Sequence, residues 1–323
     1  MSSANLVPET RDLSGEELSA DEAWETLRRY GRWHLAKDAL VRFRYADGFS
    51  HSRALAMQLC LAAVPFLIAL TGLAADLGQE EGGEVIARTV LALSPGASDQ
   101  LVRDTLSGSE AAEEAGEVAL TLGLIAGLVA LATAMAQIER GANRMYGVER
   151  DRPALQKYLN ALGLAVTAGF TSFAGFLVLV AGGPFGDAVE EIYDWGDTAE
   201  TLWDIVRWPL GLALTVLSVT ILFEKAPRRR MPSLSWLVFG GGLATALWLL
   251  ASVALTLYIR FNDSFGDTYG PLTAVMALLV WANITAVALF LGLAFAAQLE
   301  ALRAGVPEPA GPDIWGSMEP DPA

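Results

Sequence analysis

The sequence predicts an all-α, polytopic membrane protein. Six transmembrane helices are expected, with an amphipathic cytoplasmic helix ahead of them and short helices in the first extracytoplasmic loop. Three observations predict this. Hydrophobic residues make up 53% of the 323-residue chain against 18% charged, and they are gathered into long blocks. Six blocks reach or approach the roughly 20 residues that cross a hydrocarbon core. The lysines and arginines fall on alternate connections between these blocks, as in a chain threaded back and forth through a membrane.

The elements follow in order. Residues 1–18 are acidic and bear Pro and Ser, the composition of a disordered terminus. Ser19 followed by Glu22 then reads as a capping box. Trp24, Leu27, Tyr30 and Trp33 recur every third residue, beside Arg28, Arg29, Arg32 and Lys37. Residues 19–50 are therefore expected as an amphipathic helix. It either lies in the membrane interface, cations toward anionic headgroups, or packs as a solvated helix on the cytoplasmic helix ends. Residues 51–303 form the membrane domain, and 304–323 a disordered tail.

The spans are expected at 54–77, 118–138, 158–182, 208–223, 234–259 and 272–299, the fourth being short. The first run, near Ala54, serves as an uncleaved insertion signal. Pro65 inside it removes a backbone bond and frees the Leu61 carbonyl, giving a packing kink or a break that lines a cavity. The sixth run, about 42 Å long as a helix, is longer than a hydrocarbon core. Gly270-Pro271 opens it.

Eighteen of the 22 cationic residues fall on one side, which places both termini in the cytoplasm. The opposite connections are acidic: 76–117 holds ten carboxylates and 187–204 seven. In the first, Val85, Ile86, Thr89, Val90 and Leu93, then Leu101, Val102 and Leu106, suggest two short amphipathic helices, followed by a flexible acidic segment 107–117. The carboxylates lack calcium-loop spacing. The outer turn between spans five and six carries Tyr258, Phe261, Phe265 and Tyr269 as an aromatic belt, with Asp263 and Asp267 toward water. This corner sets the tilt of the sixth helix or gates an outward opening, and Tyr269 and Gly270 are its candidate functional residues.

No ionisable residue is expected deep in the membrane, where it would mark an ion path. Gln58 and Asn283 are the amides that most need partners in hydrocarbon. A net charge of −15 argues against a nucleic-acid partner, and two histidines, His34 and His51, leave no histidine-rich zinc site. The single Cys60 forms no intramolecular disulfide. No P-loop is present, and no metal or cofactor is expected.

The connection after the second span reads Gln137-Ile138-Glu139-Arg140-Gly141-Ala142-Asn143-Arg144-Met145-Tyr146-Gly147-Val148-Glu149-Arg150-Asp151-Arg152-Pro153. This resembles the signature of the YihY/BrkB family of bacterial inner-membrane proteins. Asn143-Arg144, Tyr146-Gly147-Val148 and Arg152 are its most specific part. The resemblance runs from Arg42 to Arg303, through Pro65, Pro227 before Arg228-Arg229-Arg230, Leu247-Trp248, Tyr258, Phe261, Tyr269-Gly270 and Trp281. It departs at Met57-Gln58, where the family is aromatic-rich, and at Ala294, where the family often carries an acid. Arg140 and Arg144, four apart on a helical extension with Asn143 beside them, could bind lipid phosphates or serve only as topogenic charge.

The resemblance implies an inner-membrane protein linked by family name to virulence. It also implies movement of lipid-like envelope components, so membrane lipids and an amphipathic substrate are the expected partners. The expectation is a transporter rather than an enzyme, the alternative being a non-transporting scaffold for envelope integrity. An older ribonuclease label for the family finds no metal-ligand motif here. The candidate functional residues are Gln58, Pro65, Arg140, Asn143, Arg144, Tyr146, Gly147, Arg152, Tyr269, Gly270 and Asn283.

Overall fold

The computed structural model describes residues 4–9, 18–77, 110–176, 196–262 and 272–311, with isolated positions between 178 and 189. Eight helices are defined among them: α1 Ala20–Tyr30, α2 Arg32–Tyr45, α3 Gly48–Leu77, α4 Glu110–Met145, α5 Ala154–Phe176, α6 Asp197–Lys225, α7 Leu234–Phe261 and α8 Thr273–Arg303. The described residues contain no strand, only an isolated bridge between Ala4 and Ala310. The helices expected in the first outer loop, and Tyr269 with Gly270, lie outside the described residues.

Among the described residues, four helices carry stretches long and apolar enough to cross a membrane: Thr121–Met145, Thr201–Lys225, Leu234–Phe261 and Val275–Arg303. Their apolar side chains are largely turned outward. Only 11% of the apolar window of α7 is buried, and Leu250 is 70% exposed. Exposed apolar surface of this extent marks a face covered by lipid or by a partner.

Several boundaries differ from expectation. The short fourth span is part of the 29-residue α6, which runs through Pro209. The acidic segment expected to be flexible is helical over 110–117, as the start of α4. Pro65 sits inside an unbroken α3, so the cavity-lining break is absent; membrane helices accommodate an internal proline by local adjustment.

The single amphipathic helix of 19–50 is divided at Gly31, whose φ of +83° an L side chain resists. The Glu22 carboxylate accepts the Ser19 N–H at 3.0 Å, as the capping box predicts. Trp24 lies 6.5 Å from Phe239 of α7, and Glu22 pairs with Arg303 of α8 at 3.2 Å. The buried face of α1, Ala23 and Thr26, thus belongs to a helix packed on helix ends, while Trp33 stays 87% exposed.

Composition predicts disorder over 1–18 and 304–323, of which 1–3, 10–17 and 312–323 lie outside the described residues. Residues 4–9 and 304–311 are instead packed together. Asn5 donates its N–H to Pro309 O at 3.1 Å, Val7 donates to Tyr146 O at 3.1 Å, and Val7 is 2% exposed. Backbone pairing and an apolar seat for Val7 hold what composition alone reads as loose.

By contact the chain divides into two units, one comprising Met1–Gln58, Ala132–Ala168 and Val216–Ala323, the other Leu59–Leu131 and Gly169–Thr215. In the first, glycines bring α7 and α8 together: a Cβ on Gly292 would lie 2.5 Å from Ala244 Cβ, and one on Gly240 2.8 Å from Ala296 Cβ. Ser218 of α6 donates to Ala168 O of α5 at 2.8 Å. Trp281 of α8 donates to Ser252 of α7 at 3.2 Å and meets Trp248 edge-on.

In the second unit, a Cβ on Gly211 would strike Leu179, and Trp203 Nε1 donates to Gly182 O at 2.7 Å. An apolar groove of about 360 Å³ lies between Leu59, Ala62 and Ala63 of α3 and the Gly123–Gly127 face of α4. Gly127 meets nothing within 4 Å, so this glycine opens space rather than closing a helix contact.

Candidate functional site

The charged residues that follow α4 and α6 converge on one polar cluster in the first unit. Local geometry starts at the end of α4. Gly147 has a φ of +72° and turns the chain after Tyr146. Arg144 then closes the turn on itself, donating to Val148 O at 2.7 Å and Glu149 O at 2.5 Å.

Asn143, fully buried, joins two connections: its Nδ2 donates to Asp151 at 3.1 Å, and its Oδ1 accepts the Arg228 N–H at 2.7 Å. Asp151 also meets Lys157 at 3.1 Å and Arg140 at 3.4 Å. Burial pushes the Asp151 carboxyl up, but hydrogen bonds from Asn143 and Lys157 and the charges of Lys157 and Arg144 outweigh it and hold it below the usual carboxylate range. Arg152 pairs with the buried Glu139 at 2.9 Å and donates to Ala226 O at 2.8 Å and Pro227 O at 2.9 Å. It therefore ties the end of α4 to the turn after α6.

A second arginine layer lies beside this clasp. Arg229 pairs with Glu300 of α8 at 2.6 Å, both side chains being almost wholly buried, and its guanidinium stands 4.6 Å over the Tyr146 ring. It donates further to Val7 O at 3.2 Å and Pro8 O at 3.3 Å. Arg42 of α2 is fully buried. Its Nε donates to Gln298 at 2.7 Å, and its Nη1 to Asn5 O at 2.9 Å and Met145 O at 3.1 Å. Its Nη2 and the Tyr146 hydroxyl are buried without a hydrogen-bond partner. Burial draws the Arg42 guanidinium down to about 10, and raises the Tyr146 phenol, with Glu300 adding to the rise.

The candidate residues thus separate into groups. Arg140, Asn143, Arg144, Tyr146, Gly147 and Arg152 come together, but the arginines among them are engaged by carboxylates and carbonyls of the chain itself. Gln58 accepts from Thr133 at 3.1 Å. Pro65 lies on α3 beyond the groove-lining Ala62 and Ala63, in the second unit. Asn283 is half-buried on α8, away from the polar cluster's members.

Sequence reasoning missed Arg42, Glu139, Asp151, Arg229, Gln298, Glu300 and the terminal segment that covers them. A signal existed for Arg42: it shares a helical face with Leu35, Ala39 and Phe43, all buried. Among the described residues no three of His, Cys, Asp and Glu are grouped to hold a metal ion.

Apolar helices turned outward, with a charged cluster gathered at their ends, define an integral, multi-pass helical membrane protein. The chain belongs to the Virulence factor BrkB family, whose profile matches residues 39–313. It is 24% identical over 258 residues to a Bacillus subtilis (strain 168) protein named ribonuclease-like protein YfkH, covering 79% of this chain and 91% of that one. It is 27% identical over 275 residues to a UPF0761 membrane protein of Chromohalobacter salexigens, covering 81% of this chain and 62% of that one. A UPF0761 membrane protein of Halorhodospira halophila is 28% identical over 177 residues, 51% of this chain and 35% of that one. The chain therefore spans only part of these two relatives. No solved structure matches.

Proposed function

We propose that the protein is a six-span inner-membrane transporter of an amphipathic, lipid-like envelope component, with both termini cytoplasmic. The observation that carries this reading is the groove of about 360 Å³ lined by Leu59, Ala62, Ala63, Gly123, Leu124, Gly127, Leu128 and Leu131. Its lining is wholly aliphatic, its width comes from glycine and alanine, and its chemistry suits an acyl chain.

Six spans are supported by the polar cluster. The chain enters or leaves it beside α3, α4, α5, α6, α7 and α8 in turn, as an even number of crossings requires. The excess of cations there favours the cytoplasmic side.

The test is reconstitution into liposomes with fluorescent analogues of envelope lipids. Movement between leaflets above protein-free vesicles is expected, and Ala63→Trp, which fills the groove, should abolish it. Failure of every envelope lipid to move would sink the reading. The buried ion-pair clasp favours a second reading, a non-transporting scaffold. It would be preferred if the groove-filling variant supported envelope integrity as well as the unaltered protein does.

A further inference from the structure

Arg42 is a buried cation without a buried anion of its own. Among the described residues it makes no ion pair. Glu300, the carboxylate near it, is engaged by Arg229 at 2.6 Å. Among the described residues, the pair and Arg42 together carry one net positive charge, in a place where an unpaired charge is costly. Besides Gln298 and Met145 O at Arg42, and Glu300 and Arg230 O at Arg229, the two guanidinium groups meet a run of backbone carbonyls from one short segment. Asn5 O accepts from Arg42, and Val7 O and Pro8 O accept from Arg229. Carbonyl dipoles are weaker partners for a guanidinium than an oxyanion is.

We propose that Arg42, Arg229 and Tyr146 form a binding site for a phosphate-type oxyanion, held closed by residues 4–9, whose carbonyl oxygens occupy the positions of the anion's oxygens. Two buried donors on these residues remain unused, as a pseudo-ligand poorer in acceptors would leave them. These are Arg42 Nη2 and the Tyr146 hydroxyl, each on a fully buried residue. Arg42, Arg229 and Glu300 all lie close enough to Tyr146 for their charges to act on it. Withdrawing the strap would expose Arg42 Nη1 and Nη2, Arg229 Nη1 and a phenolic donor, while Gln298, Met145 O and Glu300 keep their bonds, a set of donors suited to the oxygens of one phosphate.

The strap is held by the burial of Ala4 and Val7, by the Arg230 N–H donated to Glu9 at 3.2 Å, and by a few backbone bonds. It crosses the turn over Gly147, where a Cβ would lie 2.6 Å from Leu6 Cα, so only glycine gives it passage. Its own hydrogen bonds run to the Tyr146 carbonyl and to the 308–310 segment. Leu6 is 61% exposed. Glu300 offsets the charge of Arg229, so the net attraction for an anion is that of a single charge.

The ligand is either the phosphodiester headgroup of an anionic lipid or free phosphate. The test uses the full chain in detergent micelles, where nothing is transported, so its outcome is separate from that of the transport assay. Hydrogen exchange at the Asn5 and Val7 amides is followed with added phosphatidylglycerol, phosphatidylcholine or inorganic phosphate. Faster exchange with phosphatidylglycerol alone supports a lipid headgroup site. Faster exchange with phosphate as well supports a general oxyanion site. Phosphatidylcholine, with no net charge, should give the smallest response.

Arg42→Lys keeps the charge but loses the fork, and should weaken the response roughly tenfold or more. Deleting residues 4–9 should raise retention of phosphatidylglycerol, read by native mass spectrometry, by a similar factor. Unchanged exchange with both anions overturns the proposal, as does a folded deletion variant that retains no more lipid than the full chain. If the deletion variant does not fold, the exchange experiment on the unaltered protein decides.

Discussion

At the residue scale, the site is governed by what each charge meets. Arg152 and Glu139 form a pair in which the carboxylate is 1% exposed. Removing one partner leaves the other charged and desolvated. Arg152→Ala is expected to destabilise the protein by about 3–5 kcal/mol, whereas replacing both residues by apolar ones of similar volume should restore much of the loss. Thermal unfolding in detergent compares the two. Gly147→Val should cost about 1–3 kcal/mol, because its backbone strains a branched side chain and its Cβ would enter the strap.

Two groups near the cluster give stability a pH dependence. Burial lowers His51 below its ordinary 6.5, with Arg144 and Arg140 adding to the fall against Asp47 and Asp151. Asp151 is held below the ordinary 3.8. In both cases the folded pKa is depressed, so the unfolded chain binds the proton more readily. The stabilisation is present above the unfolded pKa and is lost as pH falls through the folded one. The melting temperature should therefore fall on acidification, first below about 6.5 and again below about 4. His51→Gln should remove the upper step and Asp151→Asn the lower.

At the element scale, close helix approach depends on particular glycines rather than on glycine runs. Gly240, Gly241 and Gly242 are consecutive. A Cβ on Gly240 or Gly241 would strike a neighbour within 2.8 Å, while Gly242 faces nothing within 4 Å. Gly292→Val, which drives a side chain into α7, should destabilise by about 1–3 kcal/mol or more. Gly242→Ala should instead stabilise by about 0.5–1 kcal/mol, through the lower backbone entropy of the unfolded chain. Unfolding of both variants under one detergent condition tests the contrast. The elements themselves were legible in the sequence because run length and apolarity dictate a membrane helix. Their ends were less so: α4 and α6 extend beyond their apolar runs, since a helix continues through charged residues wherever its backbone bonds remain favourable.

At the scale of the whole molecule, sidedness is the property to test. In a Cys60→Ser background, a cysteine placed at the exposed Glu149 should react with an impermeant maleimide only after cells are permeabilised. One placed at the exposed Thr198 should react in intact cells. The reverse pattern, or reaction of both in intact cells, would overturn the proposed six-span arrangement with cytoplasmic termini.

The sequence by itself determined the class of protein, the approximate position of its apolar helices and the family, because each depends on composition and local order along the chain. It also marked Asn143, Arg144, Tyr146, Gly147 and Arg152 as residues that belong together. Only the tertiary structure decided what they do there. Arg42, Arg229, Gln298 and Glu300 are far from them in sequence, and residues 4–9 look unstructured by composition. Pairing of buried charges and burial of a backbone strap are long-range effects, set by which helix ends meet. No local pattern encodes them.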